Sequence, residues 1–492
     1  MSDSEGEGAS FGFFEKAIFI AAGIGFLYFF FPAILAPFIS GNPDAIILFV
    51  YKIFLGAVPL FGTAFLGWVA FKVWVHYIQQ DFISGIEFVV LEIIPPRDVE
   101  RSPKAMELFI SNALYHWSWK GGREEYWQGA VWFWFSLEIV SLEGQVHFYI
   151  RAPSRLRTLI ETQMYAQYPQ AQVKVVEDYT LAVDELSDKS AWKGWGCEFR
   201  LLKHEAYPIK TYVDYGLDKD PDEELKVDPI SPVIEFFGSL GKGEQAWMQI
   251  VVTPSKKMWR DKSNPTFGVK AKFLGKHDWV QESRAEILRF AAPYTNIRAW
   301  DKDTIHRGVE VRVPKYLDKT LEGMSAKTSK LGFETGIRIM YVAKKEAFSM
   351  NNRRNIRLIF RQYAKPDSNQ LERFNSAQGD ALGSSLIPLS AKQVQTLANR
   401  MLHEYRERSF FHLPLRHHLF HNKTFLLSDH WTRAWYMLVV KQLFLPYFHH
   451  QTYIFNTEEL ATLWHFPGQI LKVPTLERIE SKEASPPTNL PV

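Results

Sequence analysis

Two long uncharged stretches near the N terminus constrain the fold of this 492-residue chain more than any other feature. No charged residue occurs from Ala17 to Ile39, and Lys52 is the only one from Ala45 to Phe71. Each stretch exceeds the ~20 residues that an α-helix needs to cross a bilayer core of about 30 Å. The sequence therefore predicts a two-helix transmembrane hairpin within residues 11–80, with spans at about 17–39 and 45–71.

Basic residues flank the predicted hairpin but are missing from its turn. Lys16 precedes the first span and Lys72 follows the second, whereas residues 40–44 carry no base. Because cytoplasmic flanks are enriched in lysine and arginine, both termini are predicted to face the cytoplasm from the inner membrane. An acidic tail, residues 1–10, precedes the hairpin, and a single cysteine, Cys197, excludes a disulfide scaffold.

The region after the hairpin has the pattern of an α+β fold. Over residues 85–180 the alternation of apolar residues predicts the order strand, helix, strand, strand, helix, strand, which is that of a ferredoxin-like module. Ser102-Pro103 has the features of a helix N-cap followed by a first-turn proline, and Pro153-Ser154 begins the second helix.

A second, looser ferredoxin-like module is predicted over residues 190–365. Ser231-Pro232 again begins a helix, Pro254-Ser255 again ends a strand, and a charged insertion, 256–330, interrupts the pattern. Residues 386–480 are predicted to form a basic, histidine-rich region of helices and strands, and 481–492 a proline-rich tail. The predicted fold class is thus α+β, with a transmembrane hairpin before two ferredoxin-like modules in a large cytoplasmic region.

No motif of a known catalytic or metal site is present. The nearest match to a phosphate-binding loop, Gly238–Gly243, lacks the required glycine spacing and the hydroxyl residue after the lysine. His417 and His421 are four residues apart, but neither an HExxH motif nor a Gly-x-Ser-x-Gly motif occurs. The sequence predicts a protein without enzymatic activity, cofactor or metal, and leaves open an enzyme whose site has no recognisable motif.

Arginines recur on one predicted helix near the end of the second module. Arg353, Arg357 and Arg361 are spaced by four residues within a helix predicted over 346–363, and Arg354 lies beside them. At a rise of 1.5 Å per residue, the spacing predicts a guanidinium stripe about 12 Å long. Such a stripe would bind an anionic partner such as DNA or an anionic lipid. The alternatives are a solvated helix face or pairing with carboxylates of the same chain.

Several sequence blocks resemble a family of bacterial membrane proteins related to type IV secretion and conjugative DNA-transfer ATPases. The blocks are Ile94–Phe109, Val146–Val173, Gly243–Pro254, Phe333–Phe348, Ile454–Gly468 and Leu476–Pro491. In that family a membrane anchor and an α/β region often precede a P-loop motor domain, which is not found before this sequence stops at Val492.

The resemblance implies a non-enzymatic, membrane-anchored component of an oligomeric secretion machine, in contact with the lipid bilayer. Its implied partners are a separate P-loop motor ATPase and DNA. Two alternatives stay open: a membrane-anchored protein that binds nucleic acid or anionic lipid outside secretion, and a membrane enzyme with an unrecognised site.

Overall fold

The computed structural model describes the chain in separate segments. They are residues 62–63, 66–67, 70–71, 73–96, 101–116, 122–187, 189–218, 227–255, 279–292, 315–377, 391–408, 410–411 and 450–468. The chain divides into two compact units, one formed by 1–87 and 117–132 and the other by 88–116 and 133–492. The predicted acidic and proline-rich tails lie outside the described residues.

The smaller unit is helical where it is described. Residues 73–84 form a helix, and Gly122–Trp127 form another. Gly129 has a φ of +68°, and a Cβ at this position would lie 2.1 Å from the carbonyl oxygen of Ile78. Only glycine fits this backbone conformation and this close approach.

The structure corrects the transmembrane prediction. Among the described residues, no helix is both long enough and apolar enough to cross a membrane. The first predicted span, 17–39, and residues 45–61 of the second lie outside the described residues. An uncharged run specifies composition alone, whereas a span also needs ~20 such residues in one continuous helix. Within the described residues, the predicted hairpin and the inner-membrane localisation derived from it are therefore contradicted, and the fold there is a mixture of helices and antiparallel sheet.

A nine-stranded antiparallel sheet forms the larger unit. Its strands are β1 (Phe88–Ile94), β2 (Phe135–Leu142), β3 (Gln145–Pro153), β4 (Gln172–Val176), β5 (Trp192–Leu201), β6 (Glu244–Pro254), β7 (Gly332–Lys344), β8 (Leu371–Ser376) and β9 (Tyr453–Asn456). The strand order is β4-β1-β3-β2-β6-β7-β5-β8, and β9 pairs with the beginning of β7.

The two halves of the sheet repeat one arrangement. The first four strands lie in the order fourth, first, third, second, and so do β5 to β8 when read from the opposite edge. Antiparallel pairing of β2 with β6 joins the halves into one sheet. Strands that are separate in the sequence pattern therefore share a continuous core.

Eight helices of the larger unit are described. They are α1 (Pro103–Phe109), α2 (Arg157–Gln167), α3 (Ser231–Gly238), α4 (Trp279–Ala291), α5 (Lys315–Ser329), α6 (Met350–Asn355), α7 (Ala391–Glu407) and α8 (Thr457–Leu463). The Ser102 hydroxyl accepts a hydrogen bond from the amide of Lys104 and Pro103 begins α1, as the sequence predicts. Asn456 and Glu459 form a capping box at the start of α8.

Two local predictions are wrong. The predicted helix over 346–363 is α-helical only in α6, and 3₁₀ turns follow at Ile356–Leu358 and Arg361–Tyr363. Residues 365–385, which begin with Lys-Pro-Asp-Ser-Asn and are predicted from sequence to form a loop, contain strand β8, which pairs with β5 at the edge of the sheet. In both places tertiary packing decides the backbone conformation.

Candidate functional site

A row of polar side chains crosses one face of the sheet through six adjacent strands. Direct cross-strand pairing places its members side by side: Glu92, Tyr149, Glu138, Gln249, Arg338 and Glu198. Four of them, Glu138, Gln249, Arg338 and Glu198, are at most 1% exposed. Because an unpaired buried charge is costly, the partners of these four groups determine what the row can do.

In the interior of the row, Glu138 belongs to an ion-pair cluster around Arg408, which follows α7. Its Nε lies 2.9 Å from Oε1 of Glu138, and Nη2 lies 3.2 Å from Oε2. Asp178 pairs with the same guanidinium, and the Tyr179 hydroxyl donates to Glu138 over 2.8 Å. Burial alone would raise the pKa of Asp178, but Arg408 outweighs burial and lowers it. The charged groups of this cluster are paired with one another.

A second cluster, at the β5 end of the row, is organised around Glu198. Its Oε1 accepts hydrogen bonds from Nη2 of Arg338 and from Nδ1 of His450, both over 2.6 Å, and its Oε2 accepts from Asn375 over 2.6 Å. Burial by itself would raise the pKa of Glu198, but His450 and Arg338 outweigh burial and lower the pKa to about 2. Burial would lower the pKa of His450, but Glu198 and Glu404 outweigh it and raise the pKa to about 9.

Metal binding by this second cluster is disfavoured by its charge balance. Ligand atoms of Glu198, Glu404 and His450 lie within 4.8 Å of one another, a donor set that suits zinc. However, Arg338 pairs with Glu198, and Arg400 lies 3.1 Å from Oε1 of Glu404. Two guanidinium groups therefore balance the two carboxylates, and a divalent cation would add uncompensated buried charge.

Metal binding by a second group of possible ligands is disfavoured by the hydrogen bonding of its histidine. Ligand atoms of His204, Glu205 and Glu282 also lie within 4.8 Å of one another. Nδ1 of His204 accepts a hydrogen bond from the amide of Ala206 over 3.2 Å, so a neutral ring carries its proton on Nε2. A metal-binding histidine instead donates its second N–H to an acceptor.

A cleft formed by the described residues has a volume of about 260 Å³, and two of the charged groups that line it, Glu107 and Lys330, already pair with each other. Lys330 lies 2.8 Å from Glu107 and 2.8 Å from Glu458, and the Tyr212 hydroxyl donates to Glu107 over 2.6 Å. These contacts leave the Glu107 carboxylate fully engaged. The geometry favours a structural role for this cluster.

The glycine-rich turn before β6 cannot bind a triphosphate in its present conformation. The amide of Gly241 donates to Glu244 over 3.0 Å, and the amide of Gly243 donates to Glu143 over 3.0 Å. A phosphate-binding loop needs such amides to be available for the phosphate oxygens.

We accordingly expect the purified chain to show no ATP binding by isothermal titration calorimetry, because carboxylates occupy the loop amides that phosphate would need. Saturable binding at micromolar ATP would contradict this expectation. A Glu143→Gln variant is the matched control, since it removes one competing charge and should still fail to bind.

The four predicted arginines are not equivalent in the structure. Arg354, Arg357 and Arg361 are exposed, whereas Arg353 is half-buried. Nε of Arg357 donates to the carbonyl of Arg354 over 3.1 Å, which brings these two residues together. Arg361 lies one 3₁₀ turn further along. Of the predicted histidines, those from His412 to His449 lie outside the described residues.

Comparison with known proteins adds one match. A family model described as a domain of unknown function, DUF8128, matches residues 92–417, about two thirds of the chain. The match contains the whole polar row and all four predicted arginines. No curated protein matches the chain.

Proposed function

The chain belongs to the DUF8128 family, a domain of unknown function, and we infer its role from its own residues. We propose that it is a non-enzymatic docking component. Its docking site is the arginine surface, which comprises Arg354, Arg357 and Arg361 with the exposed Met350 and Leu358. The partner is an acidic protein surface.

The observation that supports this proposal is that the three arginines are exposed cations with no counterion among the described residues. None of Arg354, Arg357 and Arg361 forms an ion pair with any residue that the structure describes. The alternative that they pair with carboxylates of the described chain therefore has no support. Guanidinium groups bind carboxylates in two-point geometry, so an exposed set of arginines suits an acidic partner.

Apolar side chains among the arginines favour a protein over a nucleic acid. Met350 is 51% exposed and Leu358 is 38% exposed. Protein interfaces are enriched in arginine and methionine, whereas phosphate contacts need no apolar neighbours. The resemblance to DNA-transfer proteins supports a separate P-loop motor ATPase as this partner, in an oligomeric assembly.

Replacing Arg354, Arg357 and Arg361 together with glutamine should abolish retention of the partner while leaving the fold intact. Interface arginines commonly cost more than ~1 kcal/mol each when truncated, so about a 100-fold loss in affinity is expected. All three arginines are exposed, and exposed substitutions usually change stability by less than ~0.5 kcal/mol, so the melting temperature should stay close to that of the parent. The measurement is co-purification of a P-loop ATPase, followed by biolayer interferometry with that ATPase.

A matched control variant replaces Arg123, Arg284 and Arg289, which are exposed on other helices, with glutamine. It has the same change in net charge and should retain the partner. An equal loss of partner retention in both variants would show that net charge alone causes the effect, and would contradict the proposal. Loss of DNA binding without loss of a protein partner would assign the arginine surface to nucleic acid and refute the proposal.

A further inference from the structure

A second basic surface, composed of residues other than those of the arginine surface, lies where β5 and β6 begin and β7 ends. Five exposed lysines from three parts of the sequence meet at this end of the sheet, which we term the lysine end: Lys189, Lys193, Lys242, Lys344 and Lys345. Up to about 150 residues of sequence separate them, so no sequence window contains the cluster.

Strand register brings these lysines together. Trp192 pairs with Lys344 and Glu244 pairs with Ala343, so the starts of β5 and β6 flank the end of β7. The amide of Lys344 donates to Gly243 over 2.8 Å, and the amide of Lys345 donates to Ala191 over 2.9 Å. Adjacent strands lie ~4.8 Å apart, so the three strand ends span about 10 Å.

Two acidic groups at this end, Glu244 and Glu143, already accept hydrogen bonds from other groups. Glu244 is 7% exposed and accepts hydrogen bonds from the Tyr341 hydroxyl and from Asn352. Glu143 accepts from the amide of Gly243 over 3.0 Å. Glu346 is the exposed carboxylate that directly follows the cluster in the chain. The lysines therefore outnumber the available carboxylates.

Four of the lysines are available to an external anion. Lys189, Lys193, Lys242 and Lys344 form no ion pair with the described residues. Nζ of Lys193 lies 4.6 Å from the centroid of the Phe348 ring, a contact that leaves its charge unneutralised. None of the large apolar side chains that are exposed in the described part of the chain belongs to segments 189–193, 241–244 or 344–346.

We propose that the lysine end binds the phosphate backbone of nucleic acid without sequence preference. Lysine ammonium groups act as point charges for phosphate oxygens, and such contacts carry no base information. The absence of exposed apolar side chains from these three segments distinguishes the lysine end from the arginine surface. The backbone amides of the glycine turn are already bonded, so the side-chain ammonium groups make the contacts.

The test is fluorescence anisotropy of a short mixed-sequence DNA duplex with the full chain and a Lys193→Gln, Lys242→Gln, Lys344→Gln variant, titrated over a range of salt. Each lost phosphate contact lowers the magnitude of the log-affinity against log-salt slope by about 0.9, so the slope should fall by about 2.7. The melting temperature of the variant should match that of the parent. An unchanged slope would overturn the proposal.

A charge-matched control replaces Lys104, Lys319 and Lys392, exposed lysines on α1, α5 and α7, with glutamine. It should bind DNA as the parent does, and equal weakening in the control would overturn the proposal. Binding of phosphatidylserine vesicles, but not DNA, through the same lysines would also overturn it. The variant of the arginine surface should keep DNA binding, so the two proposals can fail separately.

Discussion

Replacing Arg408 with methionine is expected to lower the free energy of unfolding by about 3–5 kcal/mol, because it removes one partner from a buried ion pair. Arg408 and Glu138 both have fully buried side chains, with an Nε to Oε1 distance of 2.9 Å. Methionine leaves the Glu138 carboxylate without its main counterion. Urea unfolding at neutral pH, with an unchanged slope against urea, measures the loss.

Two further variants identify the cause of this loss. Arg157→Met breaks an exposed pair between Arg157 and Glu161 and should cost less than ~1 kcal/mol. Adding Glu138→Gln to Arg408→Met removes the unpaired charge and should recover part of the stability, since coupled sites are non-additive. A loss below ~1 kcal/mol for Arg408→Met would contradict the expected cost of breaking this buried ion pair.

Strands and turns were the most predictable features of this chain. The alternation over Gln172–Val176 predicts β4 with the bounds that the structure has, and the predicted strand over 244–253 differs from β6 by one residue. The ends of these segments are marked in the sequence, by a turn before the strand and by a proline or polar residue at its end. Local patterns suffice where the ends of a strand are marked in this way.

The prediction of a continuous helix that carries the arginine stripe is wrong, because periodicity over a few residues does not distinguish an α-helix from consecutive 3₁₀ turns. Ile356, Ile359 and Phe360 have the spacing of one buried helix face, and all three are buried. The chain leaves α-helical geometry after Asn355, and the Phe360 ring packs at 4.5 Å from that of Phe199. The exposed arginines are consequently Arg354, Arg357 and Arg361.

The residues of the buried polar row share a sequence pattern that the prediction of the strands did not take into account. Each of its charged or amide members is a single polar residue between apolar neighbours, as in Leu137-Glu138-Ile139 and Ile337-Arg338-Ile339. The same pattern occurs in five strands, which suggests one shared environment. Sequence alone does not give the cross-strand register that aligns these residues, and the lysine end depends on register for the same reason.

The pH dependence of stability is the second large effect expected. The pKa of His450 is raised to about 9 in the folded chain, against an ordinary value of 6.5. Between these values the folded state binds the proton and the unfolded state does not, so stability falls as the pH rises. The contribution is fully present below pH ~6.5 and is lost as the pH passes through about 9. A shift of this size corresponds to about 3 kcal/mol.

The groups that surround His450 account for the upward shift of its pKa. Glu198 on β5 and Glu404 on α7 face its two ring nitrogens, at 2.6 Å and 3.4 Å. Arg338 on β7 and Arg400 on α7 pair with these carboxylates, and the Phe410 ring lies 5.4 Å from the imidazole. The carboxylates outweigh both the burial and the nearby guanidinium groups, and the imidazole stays protonated.

A His450→Gln variant tests this assignment, because glutamine has no titrating proton. The parent should exceed the variant in free energy of unfolding by the largest margin near pH 6, and the margin should shrink by about 3 kcal/mol by pH ~10. Urea unfolding of both proteins at matched pH values cancels the titration of all other groups that they share. A His403→Gln variant, at an exposed position of α7, should follow the parent throughout. A margin that is constant with pH would show that folded His450 is neutral across this range, and that its contact with Glu198 is an uncharged hydrogen bond.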